Sequence, residues 1–155
     1  MTETAVQFDH EVFHVYATYA VIVLLKMMSM SLLTSSARMK KKSYAALEDY
    51  DLYGEKKPAR GIPEYDPDVE RIRKCHRNDL ENIPPFLIIG LLYIFTHPTL
   101  YVATMHYRAF VICRFFHMVS YLMPLPQPCR GIGWMVGVAV TVSMGLQILL
   151  SIGTF

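Results

Sequence analysis

Eight residues of this 155-residue chain carry polar chemistry beside strongly apolar sequence: Arg38, Arg73, Lys74, His76, Glu81, Arg114, Tyr121 and Arg130. Five are fixed cations, accompanied by one imidazole, one carboxylate and one phenol. Guanidinium groups grip carboxylates through charge-assisted, often bidentate bonds, and an ammonium group needs a carboxylate such as Glu81. The set therefore suits a small hydrophilic anion that carries carboxylates and one ammonium. The plainer alternative is a girdle of lipid-headgroup contacts. His76 and Glu81 among the cations favour the binding site. Arg114, His117 and Tyr121 are spaced i, i+3, i+7 and so share one helical face.

The stretch that must hold these groups is 68–90, DVERIRKCHRNDLENIPPFLIIG, which begins as a charged rod and ends as an apolar run. Asp66 can cap the first free amides of a helix, Pro67 suits its first turn, and Asp68 and Glu70 favour its positive dipole end. On a helical wheel Val69, Ile72, Leu80 and Ile83 form a stripe shared by His76, while Glu70–Lys74 and Arg77–Glu81 are i,i+4 pairs. Continuation into FLIIGLLYIF puts Arg73, His76 and Glu81 within about one to three turns of hydrocarbon. Pro84 and Pro85 lack amide hydrogens, so the carbonyls of Leu80 and Glu81 lose helical partners. Taken alone, the segment also fits a solvated, salt-laced helix end.

Composition identifies the surroundings. Apolar residues make up 53% of the chain and mean hydropathy is +0.27, a balance that suits an integral membrane protein. A net charge of +2 is too small to argue for nucleic acid. Cys75, Cys113 and Cys129 are odd in number and widely spaced, so no disulfide framework is implied, and no spacing suits zinc. The pattern predicts an all-α, single-domain bundle of four transmembrane helices at about 12–36, 68–96, 100–122 and 129–153, with a cytosolic loop over about 39–66.

Lys26 lies inside the first span, where a charge calls for a carboxylate on another helix. Arg38, Lys40, Lys41 and Lys42 follow that span, which makes this end cytosolic and leaves the N-terminus, with Glu3, Asp9 and Glu11, lumenal. An acidic flank and a long apolar run do not fit a cleavable signal peptide. Arg108 can snorkel to the lumenal interface, whereas Arg114 lies mid-span, where the plain reading is an ion pair with Glu81. Met123–Pro128, MPLPQP, forms a rigid turn, and Gly133, Gly137, Thr141 and Gly145 make a small-residue seam for close helix contact.

The run ERIRKCHRNDLENIPPFL, the R-x-x-H-x-x-x-Y pattern at Arg114–Tyr121 and PLPQPCR up to Arg130 resemble the family of membrane-associated proteins in eicosanoid and glutathione metabolism (MAPEG). The likeness extends from EVF at Glu11–Phe13, through KMM at Lys26–Met28, to the last span. It implies four helices per subunit, a homotrimer, and glutathione held between neighbouring subunits at the cytosolic side. The family's glutathione-contacting pattern falls on Arg38, Arg73, Lys74, His76, Glu81 and Tyr121, with Arg114 and Arg130 lining the same pocket. Lys74 departs from it, since the pattern has arginine there. Lysine keeps the charge but loses the planar fork, which predicts looser glutathione binding.

The function so implied is a membrane glutathione transferase without a metal. Arg130, with Tyr121, lowers the thiol pKa of bound glutathione. The thiolate then attacks hydrophobic electrophiles or reduces lipid hydroperoxides. The same resemblance implies the endoplasmic reticulum membrane, with the outer mitochondrial membrane as a second location, and a site facing the cytosol. Two other readings stand beside it: a glutathione-dependent prostaglandin E synthase on the same scaffold, and a non-catalytic lipid-binding regulator. Charges clustered at one end do not line a path across the membrane, which argues against a pore.

Overall fold

A computed structural model describes residues 9–58 and 66–153. Glu3 of the N-terminal flank and Gly61 and Pro63 of the expected loop lie outside the described residues. Five α-helices form: α1 (His10–Lys41), α2 (Leu47–Leu52), α3 (Pro67–Tyr93), α4 (Leu100–Leu122) and α5 (Gln127–Ile152), with a 3-10 turn at Ile94–Thr96. Four are long, and α2 is a six-residue helix inside the connection that the sequence shows only as polar. Tyr44 stacks on Tyr53 there, ring centres 4.9 Å apart, and meets Tyr50 edge-on. Lys42 pairs with Glu55 across the same loop, and this hydrogen-bonded carboxylate raises the lysine pKa above its ordinary value.

The starts of α1 and α3 are capped by aspartates, Asp9 accepting from the Val12 amide at 3.0 Å and Asp66 from the Asp68 amide at 2.8 Å. Helix α3 then continues unbroken through Pro84 and Pro85. Its buried stripe is Val69, Cys75, Asp79, Ile83, Phe86, Gly90 and Tyr93. Leu80, expected on that stripe, is 49% exposed. It follows Asp79 by one residue, about 100° round the helix, and so leaves the core face. The ion pairs of the first turns run i,i+3, Asp68 to Arg71 and Glu70 to Arg73, so Glu70 pairs with Arg73 where Lys74 was the expected partner.

Helices α3 and α4 pack on each other and on both α1 and α5, which occupy the flanks. The α1–α3 register is an antiparallel ladder. The Tyr16 hydroxyl donates to the Leu87 carbonyl at 2.8 Å, Lys26 pairs with Asp79, and Lys41 reaches Asp68 at 2.8 Å. Between these polar rungs Phe86 stacks on Phe110, ring centres 3.6 Å apart. The Tyr107 hydroxyl donates to the Gly90 carbonyl at 3.0 Å, so this buried ring keeps its polar tip satisfied. A Cβ on Gly90 would lie 3.2 Å from the Tyr16 ring and 3.3 Å from the Tyr107 ring, so a larger residue here would require those rings to give by a few tenths of an ångström. The α5 seam is used in part. Gly133 and Gly137 press on α4, where an added Cβ would come within 3.1 Å of His117 and Cys113, whereas Gly145 faces open space.

Among the described residues three helices are long and apolar enough to cross a membrane: His10–Lys41, Pro67–Thr96 and Gln127–Ile152. Helix α4, expected as a further span, is not among them, because His106, Arg108, Arg114 and His117 dilute its apolar character. Two of those four point inward, since Arg114 and His117 are buried, and its outer surface carries Ile112, Phe115, Phe116 and Val119. Apolar side chains also cover the outside of α1 (Leu25, Met28, Leu32) and α5 (Met135, Leu146, Leu150). A few ionic groups buried in an apolar core, beneath an apolar outer surface, suit lipid as solvent. At roughly 1.5 Å per residue, the 32 residues of α1 extend about 48 Å, past the ~30 Å hydrocarbon layer.

At the middle of the bundle Asp79 accepts from Lys26 on one oxygen and from Arg114 on the other at 2.6 Å, all three side chains fully buried. The carboxylate that Lys26 requires is thus on α3. Arg114 pairs with Asp79, not with Glu81. Replacing Asp79 by alanine would leave two cations buried without a counter-charge, and the expected loss is about 3–5 kcal/mol of stability. A thermal-unfolding series in mild detergent checks this, and a variant as stable as the parent would contradict it.

Candidate functional site

The charged end of α3 presents two outward clefts, one on each side of its exposed ridge. The first, about 380 Å³, lies between α1 and α3 and is lined by Ser31, Thr34, Ser35, Arg38, Glu70, Arg73, His76, Arg77 and Leu80. The second side holds two adjoining hollows where α3 meets α4 and α5. One, about 540 Å³, is lined by Pro67, Glu70, Arg71, Lys74, Tyr121, Gln127 and Arg130. The other, about 300 Å³, is lined by Lys74, Arg77, Asn78, Glu81 and Tyr121. Glu70 and Arg77 contribute to both sides and mark the ridge between them.

Helical phase explains the division. Arg73 and Leu80 fall on one side of the ridge, and Lys74 and Glu81, each one residue later, turn about 100° toward α4 and α5. Arg38 joins the first cleft because α1 continues to Lys41 and carries it alongside α3. Tyr121 and Arg130 join the second because the α4–α5 turn is tight. The Leu125 amide donates to the Ser120 carbonyl at 3.0 Å, and α5 restarts at Gln127 with Pro126 as its cap residue.

The first cleft gathers three guanidinium groups, of Arg38, Arg73 and Arg77, and the His76 imidazole. Arg73 is held by Glu70 at 2.9 Å. Arg38 Nε and His76 Nδ1 are buried atoms without a hydrogen-bond partner among the described residues. Buried polar atoms are nearly always paired, so these two are available to a polar ligand at this cleft. On the second side the Arg130 guanidinium lies over the Tyr121 ring, 5.1 Å from its centre, and donates to Gln127 Oε1 at 3.1 Å. Arg130 Nε is a further buried atom without a hydrogen-bond partner among the described residues. Lys74 and Tyr121 line both hollows, so the ammonium and the phenol adjoin the Arg130 guanidinium in one and the exposed Glu81 carboxylate in the other.

Of the eight residues that the sequence singles out, seven line these clefts. Arg38, Arg73 and His76 line the first, and Lys74, Glu81, Tyr121 and Arg130 line the second side. Within one chain Arg73 and Glu81 therefore do not face a common space. Arg114 corrects the expectation of a pocket-lining group. It is fully buried, donating to Asp79 and to Asn78 Oδ1 at 2.9 Å, because its helical face points to the bundle centre. The reading passes over Asp79 and Asn78. A detectable signal existed for Asp79, since it falls four residues after Cys75 and four before Ile83, a lone carboxylate on an otherwise apolar stripe.

The chain matches the model of the MAPEG family over residues 16–150. It is 47% identical to "Microsomal glutathione S-transferase 1" of Sus scrofa, the alignment covering 92% of both chains. The Homo sapiens protein of that name is 46% identical, with the same coverage. "Prostaglandin E synthase" of Homo sapiens is more distant, 38% identical over 83% of this chain and 82% of the relative. A family match over most of the length, joined to close relatives aligned nearly end to end, shows that the chain belongs to the MAPEG family.

Proposed function

We propose that this protein is a membrane glutathione transferase that conjugates glutathione to hydrophobic electrophiles. The observation that carries the reading is the pair of complementary, outward-facing clefts around α3. One supplies guanidinium groups for carboxylates, the other a guanidinium and phenol for a thiol and Glu81 for an ammonium. Glutathione carries all of those groups. Higher identity to the transferases than to the prostaglandin E synthase supports the transferase over the isomerase.

Neither cleft alone has the full set, so in this reading the site forms between subunits of a homotrimer. The first cleft of one subunit meets the second side of its neighbour, and glutathione bridges them. Four spanning helices per subunit complete the arrangement, α4 crossing with its charges turned inward. The charged ends of α1 and α3 face the cytosol by the positive-inside rule. The endoplasmic reticulum is the assigned membrane, with the outer mitochondrial membrane as a second location, and the relatives' word "microsomal" supports the first.

In the mechanism Arg38 and Arg73 hold the glutathione carboxylates, His76 orients them, and Glu81 takes the ammonium. Arg130 stabilises the thiolate and Tyr121 donates a hydrogen bond to it, the stacked pair presenting both groups together. The thiolate displaces the leaving group of an electrophile that arrives from the hydrocarbon, giving a thioether and an anion. With a lipid hydroperoxide, the thiolate takes the distal oxygen and a proton goes to the alkoxide. This gives the alcohol and a sulfenic acid, which a second glutathione converts to the disulfide and water.

Purified protein in detergent should conjugate glutathione to an aryl halide and reduce a fatty-acid hydroperoxide, while turning over prostaglandin H poorly. Preferred turnover of prostaglandin H would favour the isomerase, and no turnover of any would favour a non-catalytic regulator. Arg130→Leu should remove most of the ultraviolet absorbance of bound thiolate, and an unchanged signal takes Arg130 out of the role. Lys74→Arg should tighten glutathione binding a few-fold, by restoring the planar fork, in equilibrium dialysis. Co-expression of Arg38→Ala with Arg130→Leu chains should restore about a quarter of the sites by random mixing in a symmetric trimer. No recovery would mean that each site belongs to one chain.

A further inference from the structure

The buried ion cluster is more than a brace, because a line of contacts runs from it to the second cleft. Arg114 Nη2 donates to Asp79 Oδ1 at 2.6 Å and to Asn78 Oδ1 at 2.9 Å, and it lies 3.4 Å from His117 Nδ1. The His117 ring packs against Tyr121 with centres 4.9 Å apart, and Arg130 sits over the other ring neighbour, Tyr121 itself. Helix α5 closes the line from outside, since a Cβ at Gly133 would come within 3.1 Å of His117 Cβ. Asn78 provides a second branch, for it lines the hollow that contains Glu81 and Tyr121.

We propose that Asp79 is a positioning residue for thiolate formation, fixing Arg114 and, through His117, the placement of Tyr121 and Arg130. The proposal rests on the glutathione-transferase reading. Each link constrains the next. The Asp79 and Asn78 oxygens hold the Nη2 end of the Arg114 guanidinium, and that end lies beside the buried His117 ring. That ring backs Tyr121, on which Arg130 rests. The charged groups acting on His117 come from every packed helix: Lys26 on α1, Asp79 on α3, Arg114 on α4 and Arg130 on α5. Lys26 has a different part. It bonds the far oxygen of Asp79 and touches neither Asn78 nor His117 among its hydrogen bonds, so it ties α1 to the cluster without directing the line to Tyr121.

The distinction gives a test. In Lys26→Met the Asp79–Arg114 pair stays intact and locally neutral. In the double variant Lys26→Met/Asp79→Asn the volume is kept and Arg114 loses its carboxylate. Each protein is titrated with pH while the absorbance of bound glutathione thiolate is recorded. Lys26→Met should keep the parent's midpoint. The double variant should shift it upward by about one pH unit, leaving about tenfold less thiolate on the limb below the midpoint, with KM for glutathione changed much less than kcat. His117→Phe breaks the line beyond the ion cluster and should shift the midpoint in the same direction, which decides the matter if the double variant does not fold. A parent midpoint in a folded double variant, or in His117→Phe, overturns the proposal and leaves Asp79 as a brace. A parent protein with no thiolate signal at any pH overturns the glutathione reading instead.

Discussion

Two cations and one carboxylate share the centre of this bundle, and their burial gives that ratio its force. Each group loses hydration on burial, and only close pairing and further hydrogen bonds compensate. Asp79 does so by giving one oxygen to Lys26 and the other to Arg114, which binds α1, α3 and α4 at a single level. In a low-dielectric interior such attractions act far more strongly than at a surface. They also act only in one register. Sliding α1 by one turn along α3 would separate Lys26 from Asp79 and misalign Tyr16 from Leu87 together. The apolar packing around Phe86 and Phe110 adds contact area, but the ion cluster selects which contacts are made.

How much of this was legible depends on what each residue's neighbours reveal. Lys26 announces its need for a carboxylate because it stands alone in an apolar run. The partner's identity is hidden because Asp79 and Glu81 lie two residues apart in a charged stretch. A difference of about 200° in helical phase sends the first to the core and the second to solvent. The long helices are readable from apolar runs and capping aspartates. Helix α2 is not, since six residues are too few for a periodic signal or for independent stability. Leu80 shows the limit of a helical wheel, which finds a stripe without saying where its edge lies.

Residue type made the candidate site readable, and three-dimensional placement was the part that did not follow. Arginines, a histidine, a glutamate and a tyrosine near the ends of several helices point to an anionic, zwitterionic ligand. The chain then distributes them along two sides of one ridge, with Arg114 withdrawn to the interior. A single sequence carries no record of what neighbouring subunits bring, so a site shared between copies reads as one cluster. Family membership fixes the scaffold on which this distribution is used. The two-sided placement is what leads the proposed site to be shared between copies of the chain.

The bundle is fastened differently at its two ends. Near the 3-10 turn the fastenings are hydrogen bonds rather than ion pairs. The Tyr93 hydroxyl donates to Gln147 Oε1 at 2.9 Å, His106 meets Ser143, and Tyr107 holds the Gly90 carbonyl. Near the clefts they are ionic and open to water: Lys41 with Asp68, Arg71 with Asp68, Arg73 with Glu70 and Lys42 with Glu55. Mobile ions screen the second kind over a Debye length of about 8 Å at physiological strength and leave the first untouched. The protein is consequently lopsided in its response to the medium. Electrolyte loosens the end that carries the candidate site while the opposite end stays clamped, so the two aqueous compartments do not have equal influence over it.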